Sequence, residues 1–195
     1  MKFKKLVSLS ASLVMCASMI TGCSSKSENE GASKTSDISV GIVLGEGSVN
    51  DQSFNQSAWE GLQKAKDELG VDVTYLESKQ DSDYAANIET FVDEEVDLIL
   101  GVGSKLAPAI EEGAGLYPDQ KFVIVDEELP KDIKNVKSIL FNSQEAGYLV
   151  GLIAGKMTKT NNVGFIGGMD IPVIDTFKYG YMAGVKNANS STQIQ

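Results

Sequence analysis

The chain has 195 residues, 42% of them hydrophobic and 23% charged, with 27 acidic against 17 basic side chains and a formal net charge of −10. That balance argues against nucleic-acid binding, which needs a basic stripe. Histidine is absent and every basic residue is lysine, so Ser-His-Asp catalysis, Cys-His catalysis and histidine metal ligation are excluded, leaving carboxylate pairs and lysine as enzyme chemistries.

The amino terminus reads as a secretory leader. Lys2, Lys4 and Lys5 form a positive n-region, residues 6–19 a mostly apolar h-region, and small residues follow, a pattern too short for a spanning helix. Ile20-Thr21-Gly22-Cys23 resembles the lipobox of bacterial lipoproteins, which implies cleavage after residue 22 and acylation of Cys23. The alternative is an ordinary signal peptide with an incidental cysteine. Cleavage would discard Cys16, leave no cysteine for a disulfide or thiolate metal site, and take the net charge from −10 to −13 by removing three lysines. Residues 23–37, rich in Ser, Glu, Lys and Asn, read as an acylated cysteine followed by a flexible tether. A folded part so anchored would range over the outer face of a membrane.

Beyond the tether, short apolar runs alternate with helical patterns, which predicts a doubly wound α/β sheet. Strands are expected over residues 38–44, 71–76, 97–101, 122–125, 138–141 and 162–166, and helices over 54–69, 84–92, 106–117, 145–157 and 173–188. The first strand is nearly continuously apolar, as in a parallel sheet buried on both faces. A polar, glycine-bearing loop from Gly45 to Gln52 joins it to the first helix and aims free backbone N–H groups beyond the carboxyl end of the sheet. Ser53 with Gln56 fits a capping box. Phe54, Ala58, Leu62, Ala65 and Leu69 follow at helical spacing, and Gly70 supplies the stop. In the fourth helix Ala146, Leu149, Val150, Ile153, Ala154 and Met157 share one face and read as core-facing. Gly147, Gly151 and Gly155 recur every fourth residue beside it and predict close helix packing.

The run Asn50-Asp51-Gln52-Ser53-Phe54-Asn55-Gln56-Ser57-Ala58-Trp59-Glu60-Gly61 resembles the signature of the basic membrane protein family, the nucleoside-binding lipoproteins of bacterial ABC importers. Matching segments follow in order at residues 97–103, 117–126 and 163–174 and cover essentially everything after the leader. The resemblance implies a type I periplasmic-binding-protein fold, with two α/β lobes, hinge strands and ligand in the cleft. On that template residues 38–141 form the first lobe and residues 142–195 begin the second. The family continues for roughly as long again, so the second lobe is expected to be incomplete here. With one helix, one strand and one more helix it is expected to be poorly stabilised or to pack opportunistically, because a single strand makes no independent sheet.

The family uses an aromatic at the position of Phe54 to stack on a purine; the alternative is that Phe54 belongs to the apolar stripe of its helix. Asn55 can donate and accept toward a base edge, or serve only the capping region. Nine residues before Phe54 the family commonly carries a base-binding aspartate, where this chain has Gly45; neighbouring Glu46 is expected to point the other way. Gly103 and Ser104 close the third strand, with Ser104 either a ligand contact or a helix cap. The surrounding Gly-Val-Gly-Ser-Lys lacks phosphate-loop spacing. Asp126 ends the fourth strand, where it can accept bonds from ribose hydroxyls or stand as an exposed turn acid beside Glu127 and Glu128. Asp170 either faces the cleft or opens the last helix before Pro172, and Asp175 reads as helix-dipole compensation.

The resemblance, with the lipobox, implies a lipid-anchored, extracytoplasmic binding protein that captures a nucleoside, in particular a purine nucleoside, and hands it to an ABC permease. No cofactor, metal or catalysed reaction is implied. The alternatives are a binder of a free sugar or other small polar molecule, a truncated surface lipoprotein without transport function, and an enzyme using Asp126 and Asp170.

Overall fold

The structure is a computed structural model that describes residues 36–129 and 132–195. The leader, Cys23 and nearly all of the tether lie outside the described residues. In chain order the elements are β1 (Ser39–Glu46), α1 (Phe54–Leu69), β2 (Asp72–Ser78), α2 (Asp83–Asp93), β3 (Leu98–Val102), a 3-10 turn (Ser104–Leu106) running into α3 (Ala107–Leu116), β4 (Lys121–Val125), β5 (Val136–Ile139), α4 (Ser143–Met157), β6 (Asn162–Val163), α5 (Pro172–Ala188) and β7 (Gln193–Ile194).

Strands β1 to β5 form one parallel sheet in the order β2-β1-β3-β4-β5. From β1 the chain passes through α1 to β2 on one side, then through α2 to β3 on the other. The order therefore reverses between β1 and β3, and the crevice beyond their carboxyl ends is where open α/β sheets bind ligands. Alternation along β1 serves both faces. Val43 packs with Ile88 and Phe91 of α2 and Ile110 of α3, whereas Ile42 and Leu44 pack with Val102 and with Ala58, Trp59 and Leu62 of α1. Each large side chain so buried contributes about 1.5–3 kcal/mol. Gly41 lets α2 lie close against β1, because a Cβ there would stand 2.7 Å from the Phe91 ring.

The first helix spans the predicted residues, and Gly70 ends it in the left-handed conformation at φ 73°, donating its N–H to Lys66 O. The fifth strand lies at 136–139 instead of 138–141, because its ladder partners are Phe122 to Val125 of β4 and the pairing ends at Ile139.

The orientation of α4 corrects the sequence reading. Its buried face is the glycine row: a Cβ on Gly147 would strike Phe177 O of α5, and one on Gly151 would strike Tyr181 O. From the other side, Gly180 and Gly184 meet Gln144 O and Tyr148 O. Five glycines thus let two helices touch backbone to backbone, and the predicted core face turns outward, with Leu149 61% and Met157 73% exposed. The sixth strand is also shorter than expected, because β7 pairs in parallel with Asn162 and Val163 alone. Beyond that ladder the chain leaves Ile166 in solvent. Strand β7 was not anticipated; with β6 and α5 it completes a small βαβ unit.

Candidate functional site

A cleft of about 380 Å3 opens at the reversal of strand order. Its floor comes from the carboxyl ends of β1, β3 and β4, and Met169, Ile171, Val173 and Ile174, at the entry to and first turn of α5, supply an apolar wall.

Asp51 holds the loop between β1 and α1 in place. Its Oδ1 accepts the N–H groups of Ser53 at 2.8 Å and Gln56 at 3.1 Å, and its Oδ2 accepts that of Asn55 at 3.0 Å. These backbone bonds outweigh desolvation, although desolvation is the largest single influence, and keep the carboxyl below its ordinary value. Asp51 therefore performs the capping expected of Ser53, whose side chain makes no cap bond. Gln56 reaches back to Gln52 N at 3.0 Å, as the glutamine of a capping box does, but one residue earlier than predicted. Glu77 at the end of β2 pins the loop from outside by accepting Val49 N–H at 2.7 Å. The result is a rigid platform for Phe54 and Asn55.

The structure brings together Phe54, Asn55, Gly103, Ser104 and Asp126, all of which line the cleft. Phe54 is 39% exposed, with its ring against Gly103, where a Cβ would lie 3.6 Å from Cε1. At φ 91°, Gly103 also occupies a conformation unfavourable for other residues. Asn55 is buried and donates from Nδ2 to Gly45 O at 3.5 Å. Ser104 opens the 3-10 turn, and Leu106 occupies the N-cap position of α3. Asp126 sits at φ 62°, a left-handed conformation that aspartate tolerates better than most residues. Burial pushes its carboxyl upward, and burial first with the Asp126 charge second raises Glu127.

Asp170 is not brought in: it is exposed, and its neighbours Met169 and Ile171 line the cleft instead. Asp175 lies in the first turn of α5, as expected of a dipole-compensating acid, and accepts from Lys178 Nζ at 3.2 Å.

Glu46 is a second correction. It lines the cleft and accepts from Lys105 Nζ at 3.1 Å. The β1–β2 register shifts between Val43 and Glu46, where three steps along β1 match two along β2. Such a bulge re-aims the following side chain, and strict alternation misses it. Lys105 also lies 3.6 Å from Asp81 Oδ1, so one ammonium ties the loops after β1, β2 and β3. Hydrogen bonding to Glu46, ahead of the charge of Asp81, raises that ammonium above its ordinary value. Tyr84 of α2 completes this wall. The sequence signal for it was hidden, because Tyr84 begins a helix stripe with Ile88 and Phe91 that reads as core.

The chain matches the model of a family described as ABC transporter substrate-binding protein, PnrA-like, over residues 38–195. It is 45% identical to the CD4+ T-cell-stimulating antigen of Listeria innocua and 41% identical to the ABC transporter nucleoside-binding protein BmpA of Lactococcus lactis, in each case over 98% of this chain and 56% of the relative. A solute-binding protein of an Aeropyrum pernix ABC transporter superposes with a TM-score of 0.71 at 32% identity, covering 81% of this chain and 46% of that one. The chain spans about half the length of these proteins. The sheet order, the cleft at its reversal and the match over residues 38–195 agree: the chain belongs to the PnrA-like family of ABC transporter substrate-binding proteins.

Proposed function

We propose that this chain is the ligand-capturing part of a lipid-anchored extracytoplasmic receptor that binds purine nucleosides for an ABC importer. The observation that carries the reading is Phe54, a half-buried ring laid against Gly103 at the mouth of the cleft and backed by Asn55. An aromatic face flanked by an amide suits a base, and Asp126 suits a ribose, whose hydroxyls need an acceptor. The relative named as nucleoside-binding supports this ligand class. Charge favours a nucleoside over its phosphates: Glu46, Asp51 and Asp126 line the cleft, and Glu46 and Asp81 already engage Lys105.

Capture is binding without chemistry. The enzyme alternative needs Asp126 and Asp170 side by side, whereas Asp126 lines the cleft and Asp170 lies outside it. Among the described residues no helix is long and apolar enough to cross a membrane. Attachment through Cys23 supplies the membrane link in this reading.

The test is thermal unfolding of the full chain with inosine, adenosine, uridine or ribose. A nucleoside at ~100-fold over its dissociation constant adds about 2.7 kcal/mol to a folded binder. A rise in Tm with purine nucleosides and none with ribose is expected. A rise with ribose alone would favour the sugar-binding alternative.

A further inference from the structure

The aliphatic face of α4 is uncovered. Leu149 is 61%, Val150 58%, Ile153 63% and Met157 73% exposed, and with the exposed Ala146 they form one stripe at helical spacing. The opposite face is locked by its glycines onto the backbone of α5, so the stripe is held rigidly and cannot turn inward. At Leu149 the stripe runs into a groove between the two helices, bordered by Tyr148 and by Tyr179, itself 62% exposed. Single exposed apolar residues are ordinary, whereas a contiguous patch marks an interaction surface.

Area sets the strength of the contact. Four aliphatic side chains of roughly 60–120 Å2 each, about 60% uncovered, and the Tyr179 ring of about 200 Å2 offer roughly 270–410 Å2. A symmetric pair would bury about twice that area, short of the roughly 1,200 Å2 where stable complexes begin and in the range of reversible ones.

Charge points to the occupant and its direction. Glu145 and Lys156 are the only charged residues of α4. Both are exposed, one at each end of the stripe, and helical spacing puts them on the same edge of it. They lie equally far from the midpoint between Val150 and Gly151, and Leu149 and Ile153 are centred on Gly151. Two copies of α4 laid antiparallel about that centre therefore match stripe to stripe and set Glu145 of each copy opposite Lys156 of the other. The amino end of each helix then lies beside the carboxyl end of its mate, as the helix dipoles favour. A parallel pair would oppose like charges instead. Lys156 has no ion pair among the described residues. Glu145 accepts from Asn142 Nδ2 through Oε1 at 3.2 Å, and its carboxylate can take a second donor.

We propose that the aliphatic face of α4 is a self-association surface, through which two copies of this chain form a reversible antiparallel dimer with Glu145 and Lys156 paired across it. The contact is independent of the ligand in the cleft.

The experiment is sedimentation velocity of the full chain from about 5 to about 500 µM at low salt, where charge pairs are least screened. Ile153→Glu, Glu145→Lys, Lys156→Glu and the double exchange Glu145→Lys with Lys156→Glu are run beside it, with the circular dichroism of each. The native chain is expected to pass from monomer to dimer over that range. Ile153→Glu puts an unpaired charge into the contact and should weaken dimerisation at least about tenfold. Each single charge exchange should weaken it several-fold. The double exchange restores opposite charges across a two-fold contact and should recover the native dimer. A native chain that stays monomeric would overturn the proposal and leave the face to an occupant other than a second copy. A dimer that Ile153→Glu leaves intact, or a double exchange that recovers nothing, would overturn it as well. Should a charge variant fail to fold, salt takes its place: a native dimer unweakened at ~1 M salt would contradict the pairing.

Discussion

Replacing Phe54 by alanine separates stacking from packing. The ring is 39% exposed, and an aromatic side chain buries on the order of 200 Å2 when fully covered. The uncovered part is therefore about 80 Å2, and covering it with a base contributes about 2 kcal/mol at 25 cal/mol per Å2. That agrees with the roughly 1–3 kcal/mol measured for base–aromatic stacking. Phe54→Ala is thus expected to weaken purine nucleoside binding by about 30-fold. The loss of fold stability should be well below the roughly 3–5 kcal/mol of a fully buried phenylalanine. Calorimetric titration with inosine and denaturant unfolding of the same preparation measure the two quantities. A large drop in stability with affinity unchanged would show that Phe54 belongs to the helix stripe and would refute the stacking argument.

Other outcomes follow from the same geometry. Gly184→Ala drives a Cβ into Tyr148 O; backbone cannot rotate aside as a side chain can, so destabilisation of about 1–3 kcal/mol or more is expected by thermal unfolding. Gly41→Ala places a Cβ 2.7 Å from Cγ of the Phe91 ring and should destabilise alone, but add much less in a Phe91→Ala background, which removes the ring atoms it meets; a double-mutant cycle that is additive would contradict the contact. Because burial raises the Asp126 carboxyl, it protonates at a higher pH than an ordinary aspartate. If its ionised form accepts the ribose hydroxyls, affinity is full at neutral pH and falls on acidification before pH reaches the ordinary value near 3.8. Titrations across that range should show the fall, and Asp126→Asn should flatten it.

Local pattern carried most of the five-stranded sheet and its flanking helices. The apolar run of β1 and the left-handed Gly70 stop are each set by nearby residues, and the structure reproduces them; of the α1 stripe, Ala58 and Leu62 pack on the sheet while Phe54 and Leu69 at its ends are exposed. The same holds for the five cleft residues that end strands or open helices, since their place follows from chain order in a parallel sheet. What was illegible depends on pairs distant in sequence. The bulge that turns Glu46 inward exists only in the register of β1 against β2. Asp51 and Ser53 offer equal capping chemistry, and the loop's tertiary path decides for Asp51. On α4 the glycine and aliphatic stripes lie side by side, and only the matching glycines of α5, more than thirty residues away, select the glycine face. Tyr84 reads as core because its ring is core, and only the fold shows that the same residue also borders the cleft.

The most direct test of the central claim is equilibrium dialysis of the full chain against inosine, inosine monophosphate and ribose at equal concentration. If the acidic cleft stacks a base on Phe54 as proposed, inosine binds saturably, the monophosphate more weakly, and ribose not at all over the same range. Equal or preferential binding of the monophosphate, or no binding of inosine, would contradict it.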